Sequence, residues 1–232
     1  MRRTAIGAAV VGGIGALAAA YVFGVRPWHL RWGATENEIS EWLPGDEIMP
    51  EADVQVTHAI TIDAPPEEVW KWLIQIGQDR GGFYSYDWLE NLFGLDIHTA
   101  DVIKPEWQEL KVGDFVRGAH EGWMGGRFDG KAGWYVVGMK PGSQLILRDE
   151  IDHGSWVFIL RPVGEDQTRL VVRVRGKRGE TFAKKLYSYG LIEPAHFLME
   201  RKMMLTLKEK AETSDSPSHQ ESGSQVTTGS NP

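Results

Sequence analysis

Seven histidines and no cysteine bound the chemistry open to this 232-residue chain. Without thiols there is no disulfide framework, no cysteine-ligated zinc or iron–sulfur centre and no thiolate nucleophile. The compartment stays open, because reduced and exported proteins can both lack cysteine. His58 falls on the apolar face of an alternating run, Val54–Ile62. An imidazole with a pKa of about 6.5 suits proton transfer there, although a histidine on a buried strand face is more often held as hydrogen-bonded structure.

Glu193, His196 and Glu200 share one helical face at i, i+3 and i+7. Glu-x-x-His is half of a bundle di-iron site. The second pair and the other carboxylate helices are missing, so salt bridging with Arg201 or with strand arginines is the better reading. His98–Asp101 and His120–Glu121 lack a third ligand, and neither a metal nor another cofactor is expected. Asp149, Glu150, Asp152 and His153 cluster at a hairpin. Such clusters are commonly solvated turns; overhanging a cavity, this one would serve as an acid/base pair. Gly77–Gly82 resembles a phosphate cradle only in its glycines, since no Lys–Ser/Thr pair follows and a helix precedes it.

The aromatic residues carry more information. Phe83, Tyr84, Tyr86 and Trp88 follow the glycine loop, Trp134 and Trp156 fall in strands, and Trp123 lies between glycines. Most of the ten tryptophans read as core. Trp123 has little core to fill in a loop and suits a lid over an apolar pocket or an interface contact.

The elements that position these residues follow from periodicity. Val54, Val56, His58, Ile60 and Ile62 alternate as a half-buried strand. Asp63 then starts a helix as its N-cap acid, with prolines and acids in the first turn, and the apolar face is Val69, Trp70, Leu73 and Ile74. A second short helix spans Tyr86–Phe93. Extended runs follow at about Ile97–Ile103, Asp114–Arg117, Lys131–Met139, Ser143–Asp149, Ser155–Arg161 and Thr168–Arg178. Trp156, Phe158 and Leu160 face one way, as do Leu170, Val172 and Val174, with Arg169, Arg173 and Arg175 opposite. Pro141-Gly142 and Gly164–Asp166 are hairpin turns. A helical stretch from Thr181 to Glu212, interrupted near Gly190 and Pro194, closes the domain. This order is α+β, a sheet wrapped on a terminal helix with room for a cavity between them.

Both ends differ from this domain. Thr4–Val25 holds 22 uncharged residues, long enough at about 1.5 Å per residue to span a bilayer. The basic and aromatic flank Arg26, Trp28 and Trp32 favours a retained single-pass anchor. A signal peptide cleaved at Ala18–Ala20 is the competing reading. Ala8, Gly12, Ala16, Ala20 and Gly24 form a small-residue stripe that would admit another helix. The flanking arginines do not settle which side of the membrane the domain occupies. Thr213–Pro232 is too polar to fold and is expected as a disordered tail. The expected layout is an anchor and juxtamembrane segment (1–31), a linker (32–53), the folded domain (54–212) and the tail (213–232).

The formal charge of −7 conceals a division. Residues 1–31 hold four arginines and no acid, and the tail two acids and no base, leaving 21 basic and 30 acidic residues, or −9, between them. A domain of that balance offers no basic face to phosphates, which excludes nucleic acid.

Ile60–Leu73, the first strand leading into the first helix, resembles the START-related helix-grip superfamily, also called SRPBCC or polyketide cyclase/dehydrase and lipid-transport proteins. Lys111–Val116, the paired C-terminal strands and the closing helix Pro194–Glu212 agree in order. Arg26–Thr35 together with Gly81–Asn91 resembles a membrane-anchored subgroup of unknown function. The resemblance implies a helix-grip fold with about seven antiparallel strands around a long C-terminal helix. It also implies a hydrophobic ligand, lipid or isoprenoid-like, bound between sheet and helix. The expected contacts are His58, Tyr84, Tyr86, Trp123, Trp134, Trp156 and Phe197. A cyclase or dehydratase using His58 or the Asp149–His153 cluster is the alternative, and a protein-interaction module the third.

Overall fold

The computed structural model describes residues 13, 15–17, 19–177 and 181–214. A π-turn at Tyr21–Val25 enters α1 (Arg26–His29), followed by α2 (Glu36–Ser40), β1 (Val54–Ile62), α3 (Pro66–Leu73) and α4 (Asp87–Leu92). Then come β2 (Phe115–Arg117), β3 (Gly133–Lys140), β4 (Gln144–Asp149), β5 (Ser155–Val163), β6 (Gln167–Gly176), α5 (Phe182–Tyr187) and α6 (Glu193–Ser214). The six strands form one sheet in the order β1-β6-β5-β4-β3-β2, antiparallel throughout.

Register follows the apolar alternation. His58 stands opposite Val172, which stands opposite Phe158, so the inward rows of β1, β6 and β5 meet across the sheet. α6 lays Phe197, Glu200, Met204, Leu207 and Ala211 onto this face at alternating steps of three and four residues, the spacing of one helical stripe. Its C-terminal half packs on α3, where the Trp72 indole N–H donates to Ser214 Oγ at 3.2 Å. Each large apolar side chain buried there contributes about 1.5–3 kcal/mol.

The expected seventh strand is absent among the described residues. Ile97–Ile103 is a loop whose backbone is satisfied by side chains instead of a ladder. Asn91 brackets Ile97 with bonds of 2.7 and 2.8 Å, and Asp87 accepts from the Thr99 amide at 2.7 Å. The expected N-cap role of Asp63 is not seen either. Pro65 is the N-cap residue, and Asp63 accepts from Gln167 and Lys208. The interruption before Pro194 is a π-turn at Ser188–Ile192, in which the Glu193 amide reaches back to Ser188 O. That five-residue step absorbs the donor that Pro194 lacks.

β1 is buried on both faces rather than one. Residues 32–53, expected as a linker, lie across the outer face, where Leu43 joins Ala59, Ile146, Val157, Ile159 and Val171 in a second apolar cluster. The outward arginines of β6 hold this strap. Arg169 grips Glu38 with two bonds of 2.8 Å and draws its carboxyl down to about 2. Arg173, fully buried, meets Asp46 at 2.7 Å and the Glu41 carbonyl at 2.8 Å. The free edge of β1 is closed as well, its Thr57 and Ala59 amides donating to Leu30 O and Trp32 O at 2.9 and 3.1 Å. Gly33 makes this approach possible: its φ is +72°, and a Cβ there would stand 2.1 Å from Ala59 O.

Among the described residues no helix is long and apolar enough to cross a membrane. Much of the segment expected as an anchor, residues 4–12, 14 and 18, lies outside the described residues, and so do Ala8 and Gly12 of the small-residue stripe. Ala16, Ala20 and Gly24 are described and exposed. Of the expected tail, Thr213 and Ser214 complete α6, and 215–232 lie outside the described residues.

Candidate functional site: a cavity between sheet and terminal helix

A cavity of about 440 Å³ separates the inner sheet face from the first turns of α6. Val54, Val56 and Val174 of β1 and β6 line it on the sheet side, and Met199 and Met203 line it on the helix side. That volume suits a small molecule of drug or lipid size. Phe83, Trp134 and Trp156 form one wall, with ring centroids 5.1 Å apart between the two indoles and 5.8 Å between Phe83 and Trp134. Exposed Asp152, Lys177 and Ile192 mark the opening.

The walls also carry acids. Glu200 is fully enclosed, its Oε1 accepting from the Trp156 indole N–H at 2.9 Å and its Oε2 lying 2.5 Å from His58 Nδ1. Burial pushes the Glu200 carboxyl up, but His196, His58 and Trp156 outweigh that penalty and hold it below the usual carboxylate range. The other nitrogen of His58 donates to His29 O at 2.7 Å, which ties β1, α6 and the end of α1 together.

Glu90 sits differently. It is the buried residue of α4, 1% exposed, while Trp88 and Leu92 of that helix are 69% and 72% exposed. Its Oε2 has no hydrogen-bond partner among the described residues. Burial, helped by the Asp87 charge, pushes its carboxyl up to about 7. Ser155, whose Oγ also has no partner among the described residues, stands opposite Arg175 and turns its side chain to the outer face, away from the cavity. Asp149 is raised by burial too, yet its Oδ1 accepts from the Ile151 and Asp152 amides at 2.7 and 2.6 Å. Asp149 and Asp152 therefore bring the hairpin cluster to the cavity, with one oxygen of Asp149 engaged in shaping the turn.

Of the expected contacts, Trp134 and Trp156 line the cavity. His58 lies behind Glu200, outside the lining, with both nitrogens engaged. Phe197 packs edge-on to Trp28, Trp32 and His58 with centroids 5.3–6.2 Å away, fastening the N-terminal segment to α6. Tyr84 is a core residue whose hydroxyl donates to Trp72 O at 3.0 Å and accepts from Gln75 at 3.1 Å; burial pushes it up to about 12. Tyr86 borders a separate surface groove with Trp88 and Lys202. Trp123 donates to Phe93 O at 2.8 Å and stacks on Phe128, away from the cavity. Glu90 escaped sequence reasoning. The one available signal was the Asp87–Glu90 spacing of three residues, which also fits a solvated helix face.

A six-stranded antiparallel sheet, two helices inserted after its first strand and a long C-terminal helix across its inner face agree with the helix-grip arrangement. No family model and no curated protein matches the chain. Solved structures are similar to it at low identity, with TM-scores below 0.5. Protein SA2116 of unknown function from Staphylococcus aureus is 13% identical, with a TM-score of 0.42 over 71% of this chain and 98% of that one. MLL2253 from Mesorhizobium loti is 14% identical, with a TM-score of 0.39 over 70% of this chain and 100% of that one. DynU16, from the dynemicin biosynthetic locus, is 12% identical, with a TM-score of 0.37 over 67% of this chain and 48% of that one.

Proposed function

We propose that the chain is a membrane-tethered domain that binds a hydrophobic small molecule, lipid or isoprenoid-like, between its sheet and α6. The observation that carries this reading is the 440 Å³ cavity walled by Phe83, Trp134 and Trp156. A void of that size lined by apolar groups forfeits dispersion contacts that an apolar guest restores. Trp134 and Trp156 are its contacts.

Tethering is supported by the uncharged run 4–25 in the sequence. Phe23, Phe182, Leu186 and Leu191 are more than half exposed, and the segments that bear them are tied together by Arg26–Glu193 at 2.7 Å and by the Tyr21 hydroxyl on Tyr189 O at 2.5 Å. Apolar side chains beside the opening would meet the lipid from which a guest partitions. The stripe Ala8, Gly12, Ala16, Ala20 and Gly24 would then pair with another helix in the bilayer.

Purification of the full chain from its membranes, organic extraction and mass spectrometry test the reading. An apolar compound retained at near one per chain is expected, and its loss when Val174→Trp fills the cavity. Chains that carry no compound and take up none from added lipid would contradict it.

A second reading, a cyclase- or dehydratase-type enzyme, is favoured by Glu90, a buried acid with a free oxygen and a carboxyl raised to about 7. Recovery of the bound compound chemically changed after incubation would favour the enzyme over the carrier.

A further inference from the structure

We propose that the cavity selects an uncharged amphiphile, one whose hydroxyl or carbonyl oxygen pairs with the Glu90 carboxyl, over a fatty-acid carboxylate of the same length. This rests on the ligand-binding reading above and narrows the ligand class.

Glu90 on α4 lines the apolar cavity. It is 1% exposed, and its Oε2 has no partner among the described residues. A buried polar atom without a partner is costly, and a guest that supplies the missing bond recovers that cost. A carboxyl accepts from an alcohol and, when protonated, also donates to an alcohol or a ketone.

The charges nearby reject an anion. Glu200 is an enclosed carboxylate on the same wall and Asp152 stands nearer the opening, whereas Glu193 is already paired with Arg26. The basic residues of the lining are Arg175, Lys177 and His196. Arg175 turns its guanidinium to the outer face, where it donates to Gln55 at 2.6 Å and to the Met49 and Pro50 carbonyls. Lys177 is exposed at the opening, and the ring of His196 faces Glu200 at 3.7 Å. A carboxylate that entered far enough to reach Glu90 would be desolvated beside acids with no free buried cation to meet it.

The test compares farnesol, farnesoic acid and farnesene on the full chain at about pH 6, below the raised carboxyl of Glu90 and above the ordinary carboxylic acid range. Each competes with N-phenyl-1-naphthylamine, excited by energy transfer from Trp134 and Trp156. Farnesol is expected to bind about tenfold or more tightly than either the acid or the hydrocarbon. Glu90→Leu should bring farnesol down to the level of farnesene while farnesene itself is unchanged or improved. Glu90→Gln, which keeps a donor and an acceptor, should retain most of the preference. Equal binding of all three by the unaltered chain would overturn the selectivity and leave the apolar cavity standing. Binding of none would overturn both.

Discussion

His58 Nδ1 and Glu200 Oε2 lie 2.5 Å apart across 142 residues of chain, with side chains 0% and 2% exposed. The imidazole that sequence periodicity offers for proton transfer is thus a clasp between the first strand and the last helix. A buried pair of this kind is costly to break from one side, because the remaining polar group is stranded. Glu200→Ala should cost about 3–5 kcal/mol in denaturant unfolding, and the double variant His58→Leu/Glu200→Leu should cost less than the sum of the single variants. Because the Glu200 carboxyl lies below its ordinary range, its contribution is present above that range and is lost as pH falls through the depressed value. Additive losses in the double-mutant cycle would show that the two residues do not act as a pair.

Glu90 has the opposite sign. Its carboxyl is raised to about 7 in the folded chain, so the folded state binds more protons than the unfolded one between about pH 4.5 and 7. Stability is fully present below that window and falls as pH rises through it, by up to about 3 kcal/mol. Glu90→Gln should therefore raise the melting temperature at pH 8 and leave it nearly unchanged at pH 4.5. For a domain of this size the rise is roughly 2–4 °C per kcal/mol. Equal effects at both pH values would place the carboxyl in the ordinary range.

The strap across the outer face hangs on Arg173, which is fully buried and meets Asp46 at 2.7 Å. Asp46→Ala strands that guanidinium and should destabilise the chain by about 3 kcal/mol or more. Limited proteolysis should then cut within residues 36–53 before the sheet is lost. Cleavage first at the sheet would show that the strap is no separate unit.

Gly33→Ala should loosen the junction between the N-terminal segment and β1. Its φ of +72° and a Cβ 2.1 Å from Ala59 O leave no room for a side chain. Amide exchange at Thr57 and Ala59 should rise, with those of β5 protected as before. Unchanged exchange at Ala59 would mean that the edge is not closed by residues 30–32.

Local periodicity made part of this legible in the sequence. Val54–Ile62, Trp156–Leu160 and Leu170–Val174 alternate cleanly because they carry the inner face, and all three are strands. Ile97–Ile103 shows an extended pattern but no ladder, because Asn91 and Asp87 satisfy its amides from another element. The strap was hidden because its anchors, Leu43 and Asp46, are isolated residues whose partners, Ala59 apart, lie more than a hundred positions away. At the site, Trp134 and Trp156 were found as strand aromatics. Glu90 was not, because α4 turns its acid inward and its Trp88 and Leu92 outward, against the pattern from which a buried face is read.

Photolabelling with a diazirine-bearing farnesol tests the central claim most directly. After irradiation with the full chain in lipid vesicles, peptide mapping locates the adducts. Adducts on Trp134, Trp156, Met199 and Met203, suppressed by excess farnesol, are what a ligand held between the sheet and α6 must give. Adducts confined to the exposed apolar residues of segments 13–28 and 182–192 would contradict the account, leaving a surface that touches lipid and a cavity that holds none.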